Sequence, residues 1–209
     1  MGRVSDARER LLVAGNELTW KHGYNAVTVD AICEQAGVKK GSFYHYFDSK
    51  AALTKEAIES WWQTKSRPIL EAAFASQVPP LERLQRYFDA IYQSQVKAKR
   101  EDGTLLGCPC FRLAIEGDGV EPEVREAARS ALSRKRHLFE QAISDAKDAG
   151  LINIGDVESA AQAVYSLFEG ASARARIQNN PEIMTDLYEQ TLRLLDATPE
   201  VRAKLKRTA

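Results

Sequence analysis

An all-α fold of about nine helices is what this chain predicts. Three observations carry that reading. Apolar residues recur at helical spacing along nearly the whole length, no stretch alternates in the manner of a strand, and the breaks between periodic segments are short and built from Gly, Pro, Asp and Asn. With 209 residues the chain can bury a sizeable core, as one large domain or as a small one joined to a larger one.

The elements follow in order. A first helix begins near Ser5, whose hydroxyl can cap it with Asp6 in the first turn; Ala7, Leu11, Ala14 and Leu18 share a face, and Gly23 ends it. A second, short helix opens at Thr28, turns Val29, Ile32 and Ala36 inward and stops at Gly37. A third follows almost at once. Asp48 caps a fourth, which passes Leu53, Ile58, Trp61 and Trp62 and is kinked or ended at Arg67-Pro68. Pro79-Pro80 starts a helix striped with Leu81, Leu84, Phe88 and Ile91 that reaches Lys99, and residues 100–109 form a loop. A short helix covers Phe111 to Glu116, and a long one opens at Glu121-Pro122 and closes at Gly150. Asp156 caps the next, which runs to Gln178; Asn180-Pro181 starts the last, which ends near Ala197. The basic tail 198–209 is expected to fray. The change to longer helices puts a domain join near residue 50, with one domain over 1–50 and another over 51–197.

Composition sets bounds on function. The net charge is zero, so nucleic-acid binding has to come from a local patch and not from a global basic field. The first residues hold no apolar run of signal-peptide length, no segment is apolar for long enough to span a bilayer, and three cysteines do not make a disulfide framework; these point to the cytoplasm. No catalytic motif is present: there is no Gly-x-Ser-x-Gly elbow, Walker loop or His-Glu-x-x-His, and Glu116 and Asp118 read as a solvated loop edge. No cofactor is implied. His22 and His45 fall in the first domain, and His137 has no cysteine or histidine at ligand spacing, so no metal site is expected either.

The local patch is the segment from Val38 to Lys50. Three short helices with a glycine turn between the second and third describe a helix-turn-helix, whose second member enters a DNA major groove. Thr28, at a helix N-terminus, and Lys50, at the start of the fourth helix, can hold phosphates. Lys39, Lys40, Ser42, Tyr44 and His45 can meet base edges or flanking phosphates, and Gly41 lets the backbone approach closely. Phe43 and Phe47, four apart, face inward, while Tyr46 falls between the two faces. The competing reading is a helical small-ligand binding protein that never touches DNA.

The ordered run Thr28-Val29, Ile32, Ala36-Gly37-Val38, Lys40-Gly41-Ser42-Phe43-Tyr44, Tyr46-Phe47, Ser49-Lys50 and Leu53 resembles the N-terminal DNA-binding domain of TetR-type bacterial repressors. Lys39 is a departure, because the family often carries serine there. The resemblance implies a TetR-like fold and a ligand-responsive repressor. It also implies a homodimer that sets one recognition helix in each of two successive major grooves, about 34–36 Å apart, on a palindromic double-stranded DNA operator.

The remainder would then bind a small organic effector and dimerise. Trp61, Trp62, Phe88, Tyr92, Cys108, Cys110, Phe111, His137, Tyr165 and Phe168 supply large faces and a few polar tips for a mostly apolar cavity. Val164, Phe168 and Ala171 on one late helix and Ile183, Leu187 and Leu194 on the next offer apolar stripes to a second copy. Cys108-Pro109-Cys110, at the entrance of a short helix, allows an alternative in which the trigger is an oxidant or electrophile acting on a thiol. In either case the fourth helix, running from Lys50 to Trp61 and Trp62, is the lever between effector and DNA.

Overall fold

The computed structural model describes residues 2–117 and 119–205, with side chains described from residue 6 to residue 203 apart from 118. The α-helical segments are α1 Gly2–His22, α2 Val29–Ala36, α3 Lys40–Tyr46, α4 Lys50–Trp61, α5 Arg67–Ala73, α6 Pro80–Asp102, α7 Pro109–Ile115, α8 Pro122–Asp148, α9 Val157–Ile177, α10 Leu187–Leu194 and α11 Pro199–Leu205. Among the described residues there is no strand, only an isolated antiparallel bridge between Ile152 and Ala197. No helix is long and apolar enough to cross a membrane.

The segments outnumber the expected nine because two local effects are invisible to periodicity. Between α4 and α5 the helix neither ends nor bends sharply at Pro68 but widens into a π-helical turn over Trp62–Ser66. Proline cannot donate to the carbonyl four residues back and its ring crowds it; a wider turn relieves both problems and lets the helix continue. At the other end of the chain, Asn180 does cap a helical start through Glu182 N–H, but only a 3-10 turn, Pro181–Met184, follows it, and the α-helix proper waits until Leu187. The tail is helical from Pro199 to Leu205, and residues 206–209 lie outside the described residues.

Most capping expectations hold, and some do not. Thr28 Oγ1 accepts Ala31 N–H at 3.1 Å, and Asp156 accepts from Glu158 and Ser159. Gly103 and Gly150 take positive φ where α6 and α8 end. The cap of α4 is Ser49, not Asp48: its hydroxyl accepts Ala52 N–H at 3.0 Å. The first helix already runs from Gly2, so Ser5 lies within it; the side chains of residues 2–5, like Asp118, are outside the described residues. The loop after α6 shrinks to 103–108, and the short helix starts at Pro109 and not at Phe111.

Packing divides the chain into two compact units. The first is Met1–Arg67 together with Pro109–Ser133; the second is Pro68–Cys108 together with Arg134–Ala209. In the first, α1 packs on α4, α2, α3 and α7, and α4 therefore stands on the C-terminal side of the expected join at residue 50. Its core gathers Leu11, Ala14, Ile32, Ala36, Phe43, Phe47, Leu53 and Ala57. The α1–α4 approach is close: a side-chain carbon at Gly15 would sit 2.3 Å from Leu53 Cδ2. In the second unit α9 packs on α10, and Phe74, Tyr87, Phe88, Phe139 and Phe168 form a continuous ring cluster.

Candidate nucleic-acid interface

The turn between α2 and α3 is built by Gly37, whose φ of 63° lies in the left-handed region; its N–H reaches back to the Glu34 carbonyl, and Val38 N–H reaches the Cys33 carbonyl. That closure sends the chain straight into α3. Phe43 is fully buried and Phe47 nearly so, with ring centroids 5.8 Å apart, so α3 is anchored by one face. The other face is free to read. Lys39, Lys40, Gly41, Tyr44 and His45 are exposed, Ser42 is half-buried, and Thr28 is exposed at the start of α2. Tyr44 keeps 53 % of its surface open, which is a large exposure for an aromatic ring. Tyr46 is half-buried against the core, its ring edge 4.9 Å from His45.

Two expected residues are less available than their side chains suggest. Lys40 pairs with Asp30, Nζ to Oδ1 at 2.8 Å, which links α2 to α3 and raises the pKa of the lysine through that hydrogen bond. Lys50 is half-buried, and its ammonium donates to the Tyr24 and Val27 carbonyls at 2.9 and 3.1 Å. Gly41 has no heavy atom within 4 Å of where a side-chain carbon would be, so nothing in the chain itself requires glycine there.

The structure does not gather the expected effector residues into one set. Trp61, Trp62, Cys110 and Phe111 belong to the first unit, where the Trp61 ring meets Trp20 edge-on. Phe88, Tyr92, Cys108, His137, Tyr165 and Phe168 belong to the second. There Phe88 and Phe168 stack at 5.6 Å and Tyr165 lies 6.4 Å from Phe168, but His137 points to solvent and bonds Gln141, and Tyr92 reaches Glu182. The expected dimer stripe is divided as well. Val164, Phe168 and Leu187 are consumed by the core of their own unit; Ala171 and Ile183 are half-buried and Leu194 is exposed.

The sequence reading missed a polar centre within the ring cluster. Lys135 Nζ and Glu169 Oε1 stand 3.0 Å apart, each side chain 4 % exposed. Tyr165 donates to the same oxygen at 2.8 Å, and Lys135 also reaches Cys108 Sγ at 3.5 Å. Burial alone would lower the pKa of Lys135, but the acidic groups packed on it, Cys108, Tyr87, Glu169 and Tyr165, raise it well above the ordinary lysine value. Glu169 Oε2 is buried with no hydrogen-bond partner. Among the described residues no group of three or more His, Cys, Asp or Glu is placed to hold a metal ion.

Residues 11–57 match the bacterial regulatory proteins of the tetR family, and residues 80–191 match the tetracyclin repressor-like C-terminal domain. The chain belongs to the TetR family. It is a DNA-binding transcription regulator, and its all-helical architecture is that of the family. Similar proteins include the HTH-type transcriptional repressor NemR of Escherichia coli K12, 26 % identical over 94 % of this chain and 96 % of that one. The transcriptional regulator AcuR of Cereibacter sphaeroides is 29 % identical over 86 % and 80 %. The crystal structure of the reduced form of E. coli NemR superposes with a TM-score of 0.78 at 25 % identity, covering 93 % of this chain and 99 % of that one. A regulatory protein TetR from Rhodobacter sphaeroides has the same TM-score at 28 % identity, covering 90 % and 98 %. The TetR-type reading head is thus the α2–α3 pair, with Phe43 and Phe47 beneath it.

Proposed function

We propose that the protein is a cytoplasmic repressor that grips a palindromic operator as a homodimer and lets go when a small organic effector occupies its C-terminal domain. The observation that carries this reading is the exposed row Lys39, Tyr44 and His45 on a helix fixed from behind by buried Phe43 and Phe47. Thr28, Lys40, Gly41 and Ser42 complete the proposed contact surface. Similar proteins named as repressors support the sign of the regulation. Ala171, Ile183 and Leu194, joined by Ile177 at 81 % exposure, are the apolar surface on offer to a second copy.

Binding to a duplex selected in vitro against the purified protein tests the proposal. Affinity should fall linearly on a log–log salt plot, and Lys39→Ala should reduce the slope by about 0.9, the contribution of one phosphate contact. Tyr44→Ala should weaken binding by roughly 1–3 kcal/mol if the ring reads a base edge. Unchanged affinity and slope in both variants would remove α3 from the interface. Sedimentation of the free protein as a monomer at micromolar concentration would remove the dimer.

A second reading makes the trigger a reactive species. It is favoured by one contact, the 3.5 Å approach of the Lys135 ammonium to the half-buried Cys108 thiol, since a neighbouring cation supports the thiolate that does the chemistry. Cys110 is buried at 2 % and is the weaker candidate. With N-ethylmaleimide as probe, the wild type and Cys110→Ser should release the duplex and Cys108→Ser should retain it. Release from Cys108→Ser would end this reading and leave the first intact.

A further inference from the structure

Residues 23–28 join α1 to α2, so part of their backbone has no helix to satisfy it. Two side chains from distant parts of the chain do so. Glu116, immediately after α7, accepts the Tyr24 N–H through Oε2 at 2.8 Å. Lys50, the first residue of α4, donates to the Tyr24 carbonyl at 2.9 Å and the Val27 carbonyl at 3.1 Å, and its ammonium lies 3.8 Å from the centre of the Tyr24 ring. The fit is tight. A side-chain carbon at Gly23, where φ is 92°, would fall 2.1 Å from Glu116 Oε1, and one at Gly119 would fall 2.9 Å from the Asn25 amide. Arg112 Nε, one turn back on α7, is 3.5 Å from the same Glu116 oxygen.

Two of the three ammonium donors of Lys50 are therefore spent inside the protein, and burial lowers its pKa against the opposing pull of Glu121 and Glu116. That is the setting of an internal pin and not of a side chain waiting for a phosphate. Glu116 is equally out of place as a solvated loop residue, because its carboxylate is mostly buried and its second oxygen is occupied.

We propose that Glu116 and Lys50 are positioning residues for DNA binding: together they hold the α1–α2 turn, fix where α2 and α3 stand, and make α7 part of the reading head. A displacement of α7, which follows directly on Cys108 in the chain, is passed to the turn through Glu116. The proposal rests on the reading that this unit binds DNA.

The test uses the full-length protein and a duplex selected in vitro against the wild type. Glu116→Ala should weaken binding roughly tenfold or more, the size of a charge-assisted hydrogen bond, with the salt slope unchanged. In the protein without DNA it should also speed amide exchange at Tyr24 and through α2 and α3. Glu116→Gln keeps an oxygen for Tyr24 N–H and should restore affinity to within about threefold of the wild type. Lys50→Met should weaken binding at constant slope, whereas a lost phosphate contact would lower the slope by about 0.9. Wild-type affinity in Glu116→Ala, a reduced slope in Lys50→Met, or an unprotected Tyr24 amide in the wild type would overturn the proposal. Should Glu116→Ala fail to melt cooperatively, Glu116→Gln and the wild-type exchange decide the matter. If the wild type selects no duplex at all, the DNA reading fails, and exchange without DNA still judges the pin.

Discussion

Truncating Phe43 to alanine is expected to destabilise the first unit by about 3–5 kcal/mol, the cost of emptying a fully enclosed aromatic site. The ring has no exposed surface and touches both Tyr44 and Phe47, at centroid distances of 5.2 and 5.8 Å. It is what attaches a seven-residue helix, too short to persist alone, to the rest of the helix-turn-helix. Stability measured by urea unfolding should drop, and DNA binding should vanish at temperatures where the second unit still melts cooperatively. Phe43→Leu, which keeps most of the apolar volume, should retain both properties in good part. A loss below about 1 kcal/mol for Phe43→Ala would mean that α3 is held by something other than this ring.

The second large effect belongs to the buried pair of Lys135 and Glu169. Breaking it with Glu169→Ala leaves an ammonium enclosed without its carboxylate and should cost about 3–5 kcal/mol near neutral pH, while the double change Lys135→Met, Glu169→Leu should recover most of that. The two proteins should also respond oppositely to alkali. In the wild type the pKa of Lys135 is higher folded than unfolded, so the stability it contributes is fully present below the ordinary lysine value of about 10.4 and is lost as pH climbs through the raised one. In Glu169→Ala burial prevails and the folded value should fall below the ordinary one; the unfolded chain then binds more protons between the two, and stability should rise with pH there. Guanidinium or urea midpoints taken from pH 7 to 11 give both signs. A Glu169→Ala midpoint that falls with pH alongside the wild type would refute the account of the pair.

How much was legible in the sequence depended on how far the information had to travel. Thr28, Gly37, Pro80, Asp156 and Asn180 were readable because a cap or a left-handed turn is decided within a few residues. Phe43 and Phe47 were readable because helical spacing puts them on one face. Ser49 and Asp48 are both good caps, and only the realised backbone chose between them. The π-helical turn before Pro68 was not readable, since proline announces a fault in the ladder without saying how it is accommodated. Apolar stripes on α9 and α10 were visible, but periodicity does not distinguish a side chain facing its own core from one facing a partner. Val164, Phe168 and Leu187 proved to be the former.

By itself the sequence determined the helical class, the helix-turn-helix and the anchored and exposed faces of α3, because each is written in spacings of three or four residues or in a contiguous motif. Only the tertiary structure decided the polar contacts that hold the two units together internally. Glu116 meets Tyr24 across 92 residues, Lys135 meets Glu169 across 34, and Lys50 turns back to carbonyls 26 and 23 residues earlier. A charged side chain looks the same in a sequence whether it is solvated or buried. Its partner, and with it the free energy of its burial, exists only once distant segments have folded against each other.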